Sequence, residues 1–178
     1  MPTGHVFIAT SLDGFIARKD GRLDWLILPE HADEDHGYAS FIADIDAIIM
    51  GRGTYEAVLG FDAWPYDAPV LVLSRKLAGT EPPAHLRGKV SFADLSPRAA
   101  MEHLGRQGAV RIYVDGGQIV QAFLRDGLIA DIVISRIPVL IGEGRPLFGP
   151  TGGDIAFVHD RTDTFPSGLV QSRYRLRS

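Results

Sequence analysis

The sequence contains no cysteine and no long uninterrupted hydrophobic run. Without cysteine the chain can form neither disulfide bonds nor thiolate metal sites, and a cysteine nucleophile is excluded. No apolar segment approaches the roughly 20 residues that a membrane-spanning helix requires. The first residues also lack the basic segment followed by an apolar stretch that marks a secretory signal. We therefore expect a cytoplasmic protein without a membrane partner.

Excess positive charge and hydrolase or metal motifs are missing as well. The net charge is −4 and the pI is near 5.8, which argues against a nucleic-acid-binding surface. The six histidines show no spacing typical of metal ligands, and no G-x-S-x-G motif occurs. We expect neither a nucleic-acid partner nor a metal ion.

What the chain does contain is an alternation of short apolar runs with helical patterns. Its 178 residues, 46% of them hydrophobic, suit one domain spanning residues 1–178. Apolar runs predict buried strands near residues 5–10, 47–50, 69–73, 111–114 and 129–137, and apolar spacing predicts a helix within residues 32–45. Residues 156–164 and 169–177 predict a terminal hairpin. The order indicates an α/β sandwich with a mostly parallel central sheet and an antiparallel edge.

Two of these strands end abruptly in glycine where a helix is predicted to begin. The segments are residues 48–56, IIMGRGTYE, and residues 112–119, IYVDGGQI. Glycine lets a ligand approach the backbone, and a helix start offers free N–H groups and a positive dipole end to an anion. Glycine at such a turn also serves simply to reverse the chain. Two junctions together suit a diphosphate, although neither has the spacing of a Rossmann motif or P-loop.

A third strand end carries a hydroxyl and two cations, at Ser74, Arg75 and Lys76. The carboxyl ends of parallel strands meet at one edge of a sheet, where ligands of α/β proteins bind. We therefore expect these residues to share one crevice with Gly51 and Gly116.

These three strand ends occur in the order found in the dihydrofolate reductase superfamily, which the chain resembles over nearly its whole length. The segment SLDG at residues 11–14 and the segment PVLIGEG at residues 138–144 are more similar to the reductase domain of the riboflavin-biosynthesis deaminase-reductase. No deaminase zinc motif accompanies them. The resemblance implies a three-layer α/β/α sandwich.

The resemblance further implies NADPH as the cofactor, bound along the carboxyl edge of the sheet. The diphosphate would be held between two groups of residues, Gly51, Arg52, Gly53 and Thr54 on one side and Gly116, Gly117, Gln118 and Ile119 on the other. Ser74, Arg75 and Lys76 would bind the 2′-phosphate, since a hydroxyl and two cations suit a dianion. Ala9, Thr10 and Ile16 would border the nicotinamide.

Catalytic candidates are fewer. A gap-free count places Asp35 where folate reductases carry a buried carboxylate on a helix, and a run of acids there is otherwise typical of a solvated helix start. Asp13 and Glu143 lie on glycine-containing loops that the family brings toward the substrate. Asp115 replaces a glycine common in folate reductases, and we expect it to point away from the diphosphate and cap the next helix.

The resulting hypothesis is hydride transfer from NADPH to a small heterocyclic or sugar-derived substrate, as in reduction of a ribosylamino-pyrimidine during riboflavin synthesis. Dihydrofolate reduction is the alternative within this frame. A non-catalytic domain that binds or senses NADPH is the alternative from another class. Relatives of the riboflavin reductase domain commonly pair, which implies a homodimer.

Overall fold

The computed structural model describes residues 1–26 and 34–177 and contains ten strands and four α-helices within them. The strands are β1 (Thr3–Thr10), β2 (Phe15–Ala17), β3 (Ala47–Gly51), β4 (Val70–Leu73), β5 (Val90–Ala93), β6 (Arg111–Asp115), β7 (Ile129–Arg136), β8 (Arg145–Pro146), β9 (Phe157–Thr164) and β10 (Val170–Leu176). The helices are α1 (Tyr38–Ala43), α2 (Arg52–Leu59), α3 (Pro97–Arg106) and α4 (Gly117–Arg125).

Eight strands form one sheet in the order β5-β4-β3-β6-β1-β7-β10-β9. The six strands from β5 to β7 are parallel, and β10 and β9 continue the sheet as an antiparallel hairpin. Runs such as Val70–Leu73 are apolar on both faces because helices cover both sides of a parallel sheet. The predicted parallel sheet with an antiparallel edge is confirmed.

Helices lie on both faces of the sheet and bury its two sets of alternating side chains. Val6, Ile49 and Val114 pack with Met101 of α3 and Phe123 of α4. On the opposite face Ile48, Met50 and Tyr113 pack with Tyr55 of α2 and, at the periphery, with Phe41 of α1. Ser96 caps α3 by accepting a hydrogen bond from the Ala99 N–H at 3.3 Å. The architecture is the predicted three-layer sandwich.

The first helix is shorter than its apolar spacing predicts. The predicted range of residues 32–45 begins outside the described residues, and α1 covers only Tyr38–Ala43. Gly37 precedes it with a φ of 79°, a left-handed conformation that cannot continue a right-handed helix. The Asp35 carboxylate accepts the Gly37 N–H at 2.7 Å and holds this turn. Asp35 therefore lies before the helix, and its predicted helical position is wrong.

A small second sheet was not predicted. Strands β2 and β8 pair in antiparallel fashion, so that the loop after β1 and the loop after β7 form one arm above the main sheet. We call residues 11–22 and 138–147 the β2–β8 arm. No helix among the described residues is long and apolar enough to cross a membrane.

Candidate functional site

The register of the parallel strands brings the three predicted strand ends to one rim. Gly51 of β3 pairs with Leu73 of β4, the residue before Ser74. Met50 pairs with Asp115, the residue before Gly116. Since β4, β3 and β6 are neighbours in the sheet, Gly51 and Gly116 lie side by side at one edge, and Ser74 lies one residue beyond them at the same edge. A linear ligand can therefore contact all three.

The two glycine junctions touch each other across this rim. A Cβ atom on Gly116 would lie 2.6 Å from the Thr54 Oγ1 atom, and Gly116 has a φ of 95°. A Cβ atom on Gly51 would lie 3.1 Å from the Ile119 side chain. Glycine at both positions keeps the first turns of α2 and α4 close together, with their free N–H groups at one place. This arrangement suits a diphosphate.

Two polar side chains at the junctions, those of Arg52 and Gln118, differ in whether they are already paired within the protein. Arg52 is exposed, and its guanidinium donates to Glu56 one helical turn later at 2.7 Å. Gln118 is exposed at the second position of α4. Arg52, the cation among the residues predicted to bind the diphosphate, is thus already paired with a carboxylate.

A cavity of about 230 Å³ opens beside the end of β4, on the face of the sheet that α3 and α4 cover. Ser74 and Arg75 border it together with Asp94 at the end of β5, and Phe123 and Ile119 supply its apolar lining. The Ser74 Oγ atom accepts the Leu77 N–H at 3.3 Å and keeps its own hydrogen for another acceptor. Arg75 and Lys76 are exposed in the turn. The cavity thus combines an apolar lining with a hydroxyl and a guanidinium group.

The residues predicted to border the nicotinamide lie at the other end of the rim. Ala9 and Thr10 end β1, and Thr10 is buried with its carbonyl accepting the Ile137 N–H at 2.8 Å. Ile16 lies on β2, where its Cδ1 atom would be 3.2 Å from a Cβ on Gly117. The β2–β8 arm therefore covers the rim beside the start of α4.

Asp115 does not cap α4, contrary to our expectation from the sequence. Its carboxylate accepts the N–H of the next residue, Gly116, at 2.8 Å, which precedes the helix, and the helix has no side-chain cap. Side chains alternate along a strand, so Asp115 shares the α1 face with Tyr113. The sequence did contain a signal for this environment, because Asp115 follows Tyr113 by two residues at the end of a buried strand and therefore points to the same face. Burial raises the pKa of Asp115 to about 6 despite hydrogen bonds that favour the ionised form.

Three tyrosines surround this carboxyl group. The Tyr113 hydroxyl donates to the Phe7 carbonyl at 2.9 Å, and burial together with the charge of Asp115 raises the pKa values of Tyr113 and Tyr66. The same two causes raise the pKa of Tyr38 to about 12. All three hydroxyls stay protonated at neutral pH. Asp115 is thus a carboxyl group that can exchange a proton near physiological pH, and it lies among protonated phenols.

Asp13 ties together the two loops of the β2–β8 arm. Its carboxylate accepts hydrogen bonds from the Ser11 hydroxyl at 2.6 Å, the Gly142 N–H at 2.8 Å and the Ile141 N–H at 3.3 Å. The Ser11 bond, with help from both N–H groups, holds the pKa of Asp13 below its ordinary value. The structure gives Asp13 contacts within the arm, and its predicted contact with substrate stays a prediction.

Substituting Asp13 by Ala is expected to loosen the loop that begins at Pro138. Amide hydrogen exchange at Gly142 should quicken at pH 7, because the N–H loses its acceptor. The lowered pKa means that the ionised carboxylate stabilises the folded arm above about pH 4 and that this contribution fades as pH falls through the folded-state pKa. The variant and the parent chain should therefore converge in acid. Equal exchange at pH 7 would contradict this role.

The other two catalytic candidates are exposed. Glu143 pairs with Lys19 at the surface of the arm. Asp35 holds the turn before α1. Neither carboxylate has the burial that a proton donor beside a nicotinamide requires, and their catalytic roles stay predictions.

Comparison with known proteins places the chain in a family. A model of the family "RibD C-terminal domain" matches residues 2–170. The uncharacterized protein YwjB of Bacillus subtilis (strain 168) is 34% identical over 145 residues, which are 80% of each chain. A second protein of that organism, the uncharacterized YyaP, is 28% identical over 181 residues, covering 94% of this chain and 91% of its own.

Solved structures agree with the fold. A protein of Shewanella sp. PV-4, provisionally assigned to riboflavin biosynthesis, superposes with a TM-score of 0.91 at 38% identity, and 99% of each chain is covered. The Thermotoga maritima diaminohydroxyphosphoribosylaminopyrimidine deaminase/5-amino-6-(5-phosphoribosylamino)uracil reductase gives a TM-score of 0.75 at 16% identity. The match covers 99% of this chain and 57% of that longer one. With its dihydrofolate reductase-like α/β fold, this chain belongs to the RibD C-terminal domain family.

Proposed function

We propose that this chain is an NADPH-dependent reductase of the riboflavin-biosynthesis type, which transfers a hydride to a small heterocyclic or sugar-derived substrate. The model substrate is 5-amino-6-(5-phosphoribosylamino)uracil. The main support is the continuous rim from Ser74 over Gly51 and Gly116 to Thr10, which has a cavity at one end and the Asp115 carboxyl group near the other.

The residues at the rim fit an extended dinucleotide. The cavity beside Ser74 and Arg75 suits an adenine ring with a 2′-phosphate, and the helix starts at Arg52 and Gly117 suit the diphosphate. Thr10 lies at the far end, where the nicotinamide would fit. When bound, NADPH would supply the hydride, so the protein mainly has to position the reactants and provide a proton.

Asp115 is the proposed source of that proton. Its carboxyl group lies on the α1 face of the sheet, below the rim, so a substrate packed between this face and the nicotinamide would meet it. Reduction of a C=N or C=O bond takes up one hydride at carbon and one proton at nitrogen or oxygen. A pKa of about 6 leaves a useful fraction of Asp115 protonated near neutral pH.

Cofactor choice is testable by replacing Arg75 and Lys76 together with Ala. Both side chains are exposed, Arg75 lines the cavity and Lys76 is the next residue in the turn, so the double variant would lose their proposed contacts with a 2′-phosphate. We expect the Kd for NADPH to rise at least about tenfold, since charge-assisted hydrogen bonds contribute about 1.5–3 kcal/mol. The Kd for NADH should change less than about twofold, because NADH has no 2′-phosphate for these cations to contact. Equal weakening of both cofactors would show that the two cations do not recognise the 2′-phosphate.

The experiment that tests the proposed function combines binding and turnover. NADPH should raise the melting temperature of the protein more than NADH, and NADPH oxidation should require the ribosylamino-pyrimidine substrate. Absence of stabilisation by NADPH would refute the proposal. Cofactor binding without turnover across a panel of heterocyclic and sugar substrates would favour the sensing function instead.

Dihydrofolate reduction is separated by titration with methotrexate. Tight binding of this pterin analogue needs a buried carboxylate at the position counted to Asp35, and the structure places that residue in an exposed turn. We therefore expect weak or undetectable methotrexate binding. Tight binding would favour the folate alternative.

A further inference from the structure

The guanidinium group of Arg145 lies across the first turn of α2. Arg145 is the first residue of β8, and its Nη1 atom lies 3.1 Å from the position of a Cβ on Gly53. Its Nη2 atom lies 3.3 Å from the corresponding position on Gly21. Glycine at residue 53 thus leaves the space that the guanidinium occupies. The β2–β8 arm carries a cation to the diphosphate junction from a segment 92 residues away in sequence.

Acidic residues close in sequence to Arg145 or to the segment that it contacts are paired with other cations. Asp20 pairs with Arg22 at 2.7 Å and Asp24 with Arg18 at 2.8 Å, while Glu143 pairs with Lys19. Within residues 1–26 and 34–177, Arg145 forms no ion pair, and its Nε and Nη2 atoms donate only to the Lys19 carbonyl, each at 3.4 Å. These long bonds orient the guanidinium without neutralising it.

The charge balance of the junction calls for such a cation. Each helix N-terminus is equivalent to about half a positive charge, so α2 and α4 together offer about one against the two negative charges of a diphosphate. Arg52 adds little, because Glu56 neutralises it. Arg145 supplies the missing charge, and its planar fork can donate two parallel hydrogen bonds to phosphate oxygens.

We propose that Arg145 binds the diphosphate of the cofactor and holds the β2–β8 arm over it, a role that rests on the proposed function. The carbonyl oxygen of the next residue, Pro146, lies within 2.5 Å of the position of a Cβ on Gly117, so the arm reaches the start of α4 as well. Arg145 therefore stands between the two helix starts.

Isothermal titration with two cofactor fragments tests this role. The fragment 2′-phospho-ADP-ribose contains the diphosphate, whereas adenosine 2′-monophosphate lacks it. Arg145→Ala should raise the Kd of 2′-phospho-ADP-ribose at least about tenfold and should leave adenosine 2′-monophosphate within about twofold, because this nucleotide has no diphosphate to lose contact. The Kd of 2′-phospho-ADP-ribose for Arg145→Lys should lie between the values for Arg145→Ala and the parent chain, because an ammonium group keeps the charge but cannot donate two parallel hydrogen bonds. Arg22→Ala is the matched control, since it removes one positive charge from the same arm at a paired position.

Each other outcome overturns the inference in a recognisable way. Equal losses for both fragments would assign Arg145 to the 2′-phosphate or to folding, which the melting temperature of Arg145→Gln then distinguishes. Unchanged Kd values with a raised KM for a phosphorylated substrate would assign it to the substrate. Unchanged values throughout would remove Arg145 from the site while the proposed function stands. Failure of the parent chain to bind either fragment would refute the proposed function and this inference together.

Discussion

Substitution of Asp115 by Asn is expected to lower kcat for substrate reduction by about a hundredfold or more, because general acid catalysis contributes about 10²–10⁴-fold. The amide can still accept the Gly116 N–H through its oxygen, so the rim should keep its shape. The Kd for NADPH should stay within about twofold, since Asp115 lies on the substrate face and no lost charge-assisted contact is expected. Steady-state kinetics together with a binding titration would measure both quantities.

The pH dependence of this variant should separate chemistry from stability. The raised pKa of about 6 means that turnover in the parent chain should fall as pH rises through that region, while the residual rate of Asp115→Asn stays flat. The ionised carboxylate costs folding free energy, so the folded state loses stability as pH rises from the unfolded-state pKa of about 3.9 to 6. Asp115→Asn should therefore be more stable than the parent chain at pH 8, by on the order of 3 kcal/mol.

Asp35→Asn is the matched control for the kinetics. It retains an acceptor for the Gly37 N–H and removes one negative charge from an exposed turn. We expect parental kcat and an unchanged melting temperature. A large loss of kcat in Asp35→Asn with none in Asp115→Asn would assign the proton donor to Asp35 and contradict the role proposed for Asp115.

Substitution of Gly117 by Ala should displace the β2–β8 arm. A Cβ atom there would lie 2.5 Å from the Pro146 carbonyl oxygen and 3.2 Å from the Ile16 side chain, and both belong to the arm. Overpacking of this kind costs about 1–3 kcal/mol, which corresponds to roughly 2–12 °C in melting temperature for a chain of this size. The Kd for NADPH should rise at least about tenfold, since the arm would no longer close over the diphosphate.

Gly153→Ala provides the control for this substitution. No heavy atom lies within 4 Å of a Cβ at that position, and Gly153 is absent from the glycines with positive φ among the described residues. Melting temperature and NADPH affinity should match the parent chain. An unchanged melting temperature in Gly117→Ala would show that the arm yields easily and does not cover the rim in the way the structure places it.

Local signals were sufficient for much of the fold. The apolar runs at residues 69–73 and 111–114 predicted buried parallel strands because such strands are apolar on both faces. Ser96 followed by Pro97 is likewise a local signal for the start of α3, because the cap and the fixed φ both favour a helix there. The apolar spacing before β3 predicted too long a helix, because spacing cannot show that Gly37 adopts a positive φ and delays the start of α1.

The candidate site also has a part that the sequence predicted and a part that it did not. Gly51, Ser74 and Gly116 were predicted to meet because parallel strands end at a common edge, a property of topology that an ordered series of strands already implies. The environment of Asp115 was misjudged, since its neighbours Tyr38 and Tyr66 come from other elements. The same holds for Asp13, whose carboxylate accepts an N–H from Gly142, 129 residues later.

The sequence by itself therefore determined the strand series, the glycine-tipped junctions and the cations after β4, because each depends on propensities within a few residues. Only the tertiary structure decided that Asp115 faces a ring of tyrosines, that Asp13 binds the opposite loop and that Arg145 reaches Gly53. Those relations depend on the packing of segments far apart in the chain, where burial sets the pKa of Asp115 and proximity determines which charges are neutralised.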